Sequence, residues 1–402
     1  MVTTVTSYTD SRNRANPGEG YDGVVRISSG GYFGTGVLLY DGRAILTAAH
    51  LFASASSSSA DIHFETASGQ QKITSSRIEV MPDYDSVNAN NDLALVWLTS
   101  AAPVGAERYS LYRDSDEIGQ SLTMVGYGLV GSGDAGTLAT YSGGALRLKA
   151  NNQFDADAAM LKSWLGSSIS WTPTVGTQLL ADFDNGMTAQ DALGRLINSP
   201  GTGLGQNEGL IAQGDSGGPA FIRGQVAGIA TYNTSISQGS VHPDVDGVNN
   251  SSFGEIGAWQ RISHYQQWID QSLRAQYPNA PTQADQVQKT VTEGNSGTSY
   301  AYFLLQFTGM RSDTTQILSV DYATRDGTAR AGEDYLAAKG TLALYPNENQ
   351  AVIPVEIIGD TFSEPDESFY LDIVNPIGGS FGAGVLQLTA IRTIVNDDGN
   401  WD

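Results

Sequence analysis

Three short stretches carry residue types that together do chemistry: Thr47-Ala48-Ala49-His50, Asn91-Asp92-Leu93-Ala94-Leu95 and Gly214-Asp215-Ser216-Gly217-Gly218-Pro219. They supply a base, a carboxylate and a nucleophile. A serine hydroxyl is a weak nucleophile near neutral pH. An imidazole must therefore take its proton during attack on a carbonyl and return it to the leaving amine, while a buried carboxylate holds that imidazole in the right tautomer. Ser216, His50 and Asp92 fill those roles in acyl transfer. The glycines meet a second need: the backbone must turn sharply enough for the Gly214 and Ser216 N–H groups to face the oxygen that becomes negative.

As a bare pattern, Gly214-Asp215-Ser216-Gly217-Gly218 also satisfies G-x-S-x-G, the nucleophile elbow of α/β-hydrolases. Chain order separates the two classes, because the elbow fold places its acid and histidine after the serine. His242 and His264 do follow Ser216, with Asp244 and Asp246 nearby. His264, however, falls in a surface helix pattern and His242 in a polar Gly/Ser/Asn-rich loop. His50 ends the apolar run Ala44-Ile45-Leu46, where a rigid strand would position it, and His63, His242 and His264 read as ordinary surface or satisfied residues. Asn90-Asn91-Asp92 is turn chemistry ahead of Leu93-Ala94-Leu95-Val96-Trp97-Leu98, a run suited to a buried strand that delivers Asp92 to a histidine.

The three motifs in this order, with Gly228-Ile229-Ala230-Thr231-Tyr232 after the serine and a closing helix, resemble a trypsin-like (chymotrypsin-fold) serine protease of the cysteine-free bacterial kind, over residues 20–275. The resemblance implies a double β-barrel, peptide-bond hydrolysis through an acyl-enzyme, and protein or peptide substrates. It also implies a primary specificity pocket with its base six residues before the nucleophile, at Leu210, and a wall at Thr231-Tyr232-Asn233. Leucine cannot pair with a cation, so an apolar or small P1 residue is expected. A catalytically idle adhesion or binding protein built on the same scaffold is the contrasting reading.

Two departures from that family pattern stand out. Asp92 and Ser216 lie 124 positions apart, more than compact members use. The surplus falls in 150–210, which contains Leu179-Leu180-Ala181-Asp182-Phe183-Asp184-Asn185-Gly186 and a short helix near 188–197; a lid, a substrate-binding insertion and another ion site all remain open for it. The family's Ile-Val-Gly-Gly-like activation start is replaced by Gly20-Tyr21-Asp22-Gly23-Val24-Val25-Arg26-Ile27. Either cleavage occurs elsewhere in the first twenty-odd residues, or Asp215 finds another partner, the option favoured here. The Ser-rich stretch 53–60 reads as a mobile loop beside the cleft.

Composition bounds the rest. A chain of 402 residues is more naturally two or three domains than one. No apolar run approaches the roughly 20 residues needed to cross a bilayer, so no membrane span is expected. Cysteine is absent, which leaves stability to core packing. A formal net charge of −22 argues against nucleic acid as a partner. Met1-Val2-Thr3-Thr4-Val5 has neither a basic start nor an apolar core, so it is no Sec signal. A secreted, extracellular protein is expected, either in mature form or exported through a signal beyond the C-terminus.

The charge is uneven: from Asp285 onward there are 17 acidic and 6 basic residues, a net of −11. Just before this tail, Tyr265, Trp268, Ile269 and Leu273 form one helical stripe behind Ser263, followed by the proline-punctuated linker 276–284. Beyond it the period becomes two, at Ala301/Phe303/Leu305/Phe307, Leu318/Val320/Tyr322, Ile353/Val355/Ile357 and Phe369/Leu371/Ile373, the signature of a β-sandwich. Acids gather where these strands should end: Glu293, Asp326, Asp360, Glu364, Glu367, Asp397 and Asp398. The segment resembles a Calx-beta domain, the immunoglobulin-like sandwich that binds calcium in sodium–calcium exchangers. Calcium takes about six to eight oxygen ligands, which converging loops can offer. Gly359 stands where exchanger domains often carry a further acid. The expected chain is thus all-β: an extension over 1–19, the protease domain over 20–275, and a Calx-beta domain over 285–402 that binds calcium or attaches the enzyme to a cell surface.

Overall fold

A computed structural model describes residues 2–52, 59–138 and 141–399; most of the Ser-rich stretch, 53–58, lies outside the described residues. The chain divides into two compact units, Met1–Leu39 with Arg43–Gln266 and Tyr40–Gly42 with Gln267–Asp402.

In the first unit, strands Val24–Ser29, Tyr32–Leu38, Ala44–Thr47, Ala94–Leu98, Gly69–Val80 and Asp61–Thr66 close a barrel in that spatial order. Period-two burial drives its closure. Val25 and Ile27 face inward from the first strand, and Ile62 and Phe64 from the last, onto a core shared with Leu38, Ile45 and Val96. Ala44–Thr47 and Ala94–Leu98 pair antiparallel with Thr47 opposite Ala94. The end of the first strand, which leads to His50, therefore lies beside the start of the second, which Asp92 precedes.

The second half of this unit is a seven-stranded antiparallel sheet. Its order is Leu148–Gln153, Ser121–Gly126, Pro219–Ile222, Gln225–Thr234, Ile256–Arg261, Gln178–Asp182 and Ala156–Asp157. Leu122, Met124, Phe154, Ala220, Ile222 and Trp259 anchor its core. The segment from Val2 is part of this core, with Thr3 opposite Leu210 in a short antiparallel pair. Helix α1 (Ala158–Leu165) is capped by Asp157, and α2 (Ala192–Ile197) by Asp191.

Helix α3 (Ile262–Ala275) buries Tyr265, Ile269 and Leu273 as its spacing predicts, with Trp268 half-buried. The division between the units falls inside it, after Gln266. The architecture is the all-β, chymotrypsin-like one the sequence suggested, followed by a β-rich C-terminal unit.

That second unit holds a five-stranded sheet in the order Thr290–Thr292, Leu388–Val395, Glu367–Ile377, Leu318–Asp326 and Lys339–Leu344, and a two-stranded sheet of Thr298–Gln306 with Gln350–Ile358. Phe303, Val320, Ile353, Val355, Phe369 and Leu371 from both sheets share one core. The Phe303 and Phe369 rings meet edge to face at 5.9 Å.

Candidate active site

His50 sits in a tight turn, Ala49–Leu51, directly after the fully buried strand Ala44–Thr47. Asp92 grips it twice: His50 Nδ1 and Asp92 Oδ2 are 2.7 Å apart, and the His50 backbone N–H donates to Asp92 Oδ1 at 2.8 Å. The carboxylate is sealed, with its side chain 2% exposed, while the imidazole is 32% exposed and reachable. Asn91 explains how Asp92 turns inward. It adopts φ 57°, a left-handed conformation that asparagine tolerates, and its side chain accepts from the Tyr265 hydroxyl at 3.1 Å and donates to the Asp83 carbonyl at 3.1 Å.

The turn that carries Ser216 is held against the barrel by Thr35, a fully buried residue outside the three motifs. The Thr35 N–H donates to the Ser216 carbonyl at 2.9 Å, and its hydroxyl donates to the Gly214 carbonyl at 2.9 Å. The Thr35 carbonyl in turn accepts from the Thr47 hydroxyl at 2.7 Å, which ties the same point to the strand that delivers His50. Glycine is required beside the serine. Gly217 has φ +82°, and a Cβ there would stand 2.0 Å from Thr47 Oγ1 and 2.3 Å from the Thr35 carbonyl oxygen. At Gly214, with φ +96°, a Cβ would lie 2.4 Å from the Phe33 ring.

The N–H groups of Asp215 and Gly217 are committed to the Ala212 and Ala230 carbonyls. Those of Gly214 and Ser216 have no acceptor among the described residues, which fits the donor pair that an oxyanion needs. The Asp215 carboxylate accepts from the Ala212 N–H at 2.8 Å and the Gly128 N–H at 2.9 Å. Burial pushes its carboxyl up to about 6 despite the Ala212 donor.

Of the residues expected to frame a specificity pocket, the one placed at its base belongs to the core. Leu210 is fully buried in the apolar core, paired with Thr3, and offers no surface to a substrate. Thr231 points its hydroxyl at Asp92 Oδ2, so its side chain is a second anchor of the acid. Because Ala230 accepts from the Gly217 N–H at 2.8 Å, one strand contacts both the nucleophile turn and Asp92. The Tyr232 hydroxyl donates to Gln178 at 2.9 Å, and the Asn233 amide donates to Ser251 at 2.7 Å. Sequence spacing alone could not reveal these uses, because each partner lies far away in the chain.

In the C-terminal unit, Thr290–Thr292 runs parallel to Leu388–Val395, with Thr292 opposite Val395. The residues that follow therefore leave side by side, and Glu293, Asp397 and Asp398 gather with one oxygen each within 4.8 Å. Asp397 accepts from the Gly294 N–H at 3.0 Å and Asp398 Oδ1 from the Asn295 amide at 2.6 Å; Asp398 Oδ2 is buried with no partner among the described residues. Asp334, Glu364 and Glu367 form a second group of the same span. Burial, then Asp360, raises the Glu293 carboxyl to about 7; burial, then Asp334, raises that of Glu367 to about 7. An orphaned buried oxygen among hard carboxylate donors suits calcium.

Two of the expected acids fall outside both groups. Asp326 accepts from the Tyr335 hydroxyl and from the Ala331 N–H at 3.0 Å, and Asp360 accepts from the Phe362 N–H at 2.7 Å. Asp334, absent from the expected set, completes the second group. Gly359 cannot carry an acid without a shift, since a Cβ there would stand 2.6 Å from the Gly294 carbonyl oxygen.

Comparison with known proteins follows this division. Residues 10–157 match the family model described as Trypsin, a span that contains His50 and Asp92 and ends before Ser216. Residues 286–398 match the Calx-beta domain. The human sodium/calcium exchanger 2 is 36% identical over 108 residues, covering 24% of this chain and 12% of the exchanger. The exchanger Calx of Drosophila melanogaster is 41% identical over 88 residues, covering 22% of this chain and 9% of its own length. The chain thus spans only a small part of these animal relatives. Among solved structures, mouse neuropsin, a serine protease expressed in the limbic system of the brain, is 19% identical with a TM-score of 0.46, covering 65% of this chain and 98% of neuropsin. The chain thus carries a region, 10–157, that matches the trypsin family, followed by one, 286–398, that matches the Calx-beta domain.

Proposed function

We propose that the chain is a serine endopeptidase in which Ser216 attacks the scissile carbonyl. His50 takes the hydroxyl proton as the Ser216 Oγ–carbonyl bond forms, and the Gly214 and Ser216 N–H groups receive the oxyanion. The same imidazole returns that proton to the leaving amine as the peptide C–N bond breaks, which leaves an acyl-enzyme. Water then repeats the cycle and releases the acid. The observation that carries this reading is the double grip of buried Asp92 on His50, beside a turn that Thr35 holds to the same barrel.

The P1 preference is for apolar or small residues, and it rests on Glu208 rather than on Leu210, which is core. Glu208, the acid nearest Leu210 in sequence, is fully buried, and its two oxygens accept from the Asp184 and Leu204 N–H groups. It is therefore not available to pair with a substrate cation. The Calx-beta domain holds calcium through Glu293, Asp397 and Asp398 and through Asp334, Glu364 and Glu367; the ion supplies the countercharge these acids lack. A secreted bacterial enzyme fits this use of calcium, because weak extracellular sites fill at about 10⁻⁴–10⁻³ M.

Peptide-library cleavage with and without calcium tests the proposal. The chain should cleave after small or apolar residues faster than after Arg, and Ser216→Ala should not cleave. A folded chain that cleaves no peptide would support the binding-protein reading instead.

A further inference from the structure

The 150–210 insertion contains a second set of acids, remote in sequence from those of the C-terminal unit. Asp182 ends the strand Gln178–Asp182, Asp184 follows two residues later, and Asp191 caps α2. One oxygen from each lies within 4.8 Å of the others, and all three residues are buried. Two of the three are partly accounted for by hydrogen bonds: Asp182 accepts from the Leu193 N–H at 2.7 Å, and Asp191 from the Gly194 N–H at 2.7 Å and the Gly201 N–H at 3.3 Å.

Asp184 is different. The residue is 4% exposed, and its Oδ1 is buried without a hydrogen-bond partner among the described residues. A buried carboxylate oxygen with no donor, on a residue whose carboxylate stands beside two others, is costly unless a cation or proton stands there. No lysine or arginine forms an ion pair with these acids among the described residues. The nearby Arg195 guanidinium donates instead to the Ala189 and His242 carbonyls. Two further carboxylates stand beside the group, and one of them, Asp155, hydrogen-bonds the Asp182 side chain. Glu208 accepts from the Asp184 N–H at 2.7 Å, and Asp155 accepts from the Gln153 amide at 3.1 Å.

We infer that Asp182, Asp184 and Asp191 form a binding site for a divalent cation of the calcium class, separate from the acids of the Calx-beta domain. All the donors are hard oxygens, which suits calcium or magnesium rather than a thiolate- or imidazole-seeking metal. Three carboxylates would supply part of the shell, and backbone oxygens or water the rest. The ion would fasten the end of the Gln178–Asp182 strand to the cap of α2. Through the Glu208–Asp184 hydrogen bond, it would also fasten both to the Gly209–Leu210 strand that leads to the nucleophile turn. The inference stands whether or not Ser216 is a nucleophile.

Calcium counting by equilibrium dialysis on the full chain tests it, comparing wild type, Asp184→Asn, and a Glu293→Gln/Asp398→Asn variant of the C-terminal site. Asp184→Asn should lose one calcium equivalent, with affinity at that site falling by more than about 100-fold, while the C-terminal variant keeps it. Equal calcium content in wild type and Asp184→Asn overturns the inference, and leaves a shared proton as the neutralising charge. Should Asp184→Asn fail to fold, wild-type crystals soaked in terbium decide. An anomalous peak between Asp182, Asp184 and Asp191 supports the site, and its absence beside a filled C-terminal site overturns it.

Discussion

The backbone N–H of Thr35 donates to the carbonyl of Ser216 at 2.9 Å, which fastens the Ser216 turn to the barrel strand next to the one that leads to His50. The Thr35 hydroxyl makes two more buried hydrogen bonds, donating to Gly214 and accepting from the Tyr127 N–H at 3.0 Å. Thr35→Val keeps the shape and the N–H bond but orphans both partners. It should cost about 2–4 kcal/mol of stability and lower kcat, because the Gly214 end of the turn loosens. Denaturant unfolding and single-turnover kinetics check both; unchanged kcat would separate Thr35 from the site.

Asp92→Asn tests the grip on the imidazole. An amide can present N–H where His50 Nδ1 should donate, which favours the wrong tautomer. Activity should fall by roughly 10⁴ with little change in fold. A loss of under tenfold would mean that His50 does not depend on Asp92.

Thr231 offers a subtler probe, since its hydroxyl bonds the same Asp92 oxygen that faces His50. Thr231→Val should reduce kcat about tenfold, the worth of one charge-assisted hydrogen bond, with KM nearly unchanged, and Thr231→Ser should restore it. A change confined to KM would return Thr231 to the pocket wall.

How much of this was legible in the sequence depended on distance along the chain. The motifs around His50, Asp92 and Ser216 are local, as are the period-two runs such as Ile353/Val355/Ile357, and both survive folding intact. The burial of Leu210 and the hydrogen bonds of Thr231 and Asp326 carry no local signal, because their partners, Thr3, Asp92 and Tyr335, are set by strand register and loop closure. Asp334 escaped notice for the same reason: only the return of the chain at Glu364–Glu367 makes it a third member of a group. Thr35 carries no signal of its own, since a threonine in a barrel strand is unremarkable until its neighbours are known.

Calcium and pH should act together on the Calx-beta domain. Glu293 and Glu367 have folded values of about 7, above the ordinary 4.5. Without calcium, their contribution to stability is complete below about 4.5 and is lost as pH rises through about 7. The chelated domain should therefore melt lower at pH 8 than at pH 6. Calcium binds the deprotonated acids, so its stabilising shift should be larger at pH 8. Equal shifts at the two pH values, followed by thermal unfolding with calcium or chelator, would contradict the assignment of these acids.

Gly359→Asp would introduce an acid where exchanger domains often have one, yet the Gly294 carbonyl oxygen stands 2.6 Å from the new Cβ. The substitution should destabilise the domain by about 1–3 kcal/mol and add no calcium equivalent. A tighter or additional calcium site, seen by calorimetry, would mean that the loop gives way easily.

Peptide hydrolysis by this chain requires Ser216 to be an activated nucleophile. A fluorophosphonate probe followed by mass spectrometry tests this most directly. Labelling should be stoichiometric at Ser216 in wild type, absent in Ser216→Ala, and slowed by about 10³-fold or more in His50→Ala. Absence of label on Ser216 in folded wild-type protein, or labelling equally fast without His50, would contradict it.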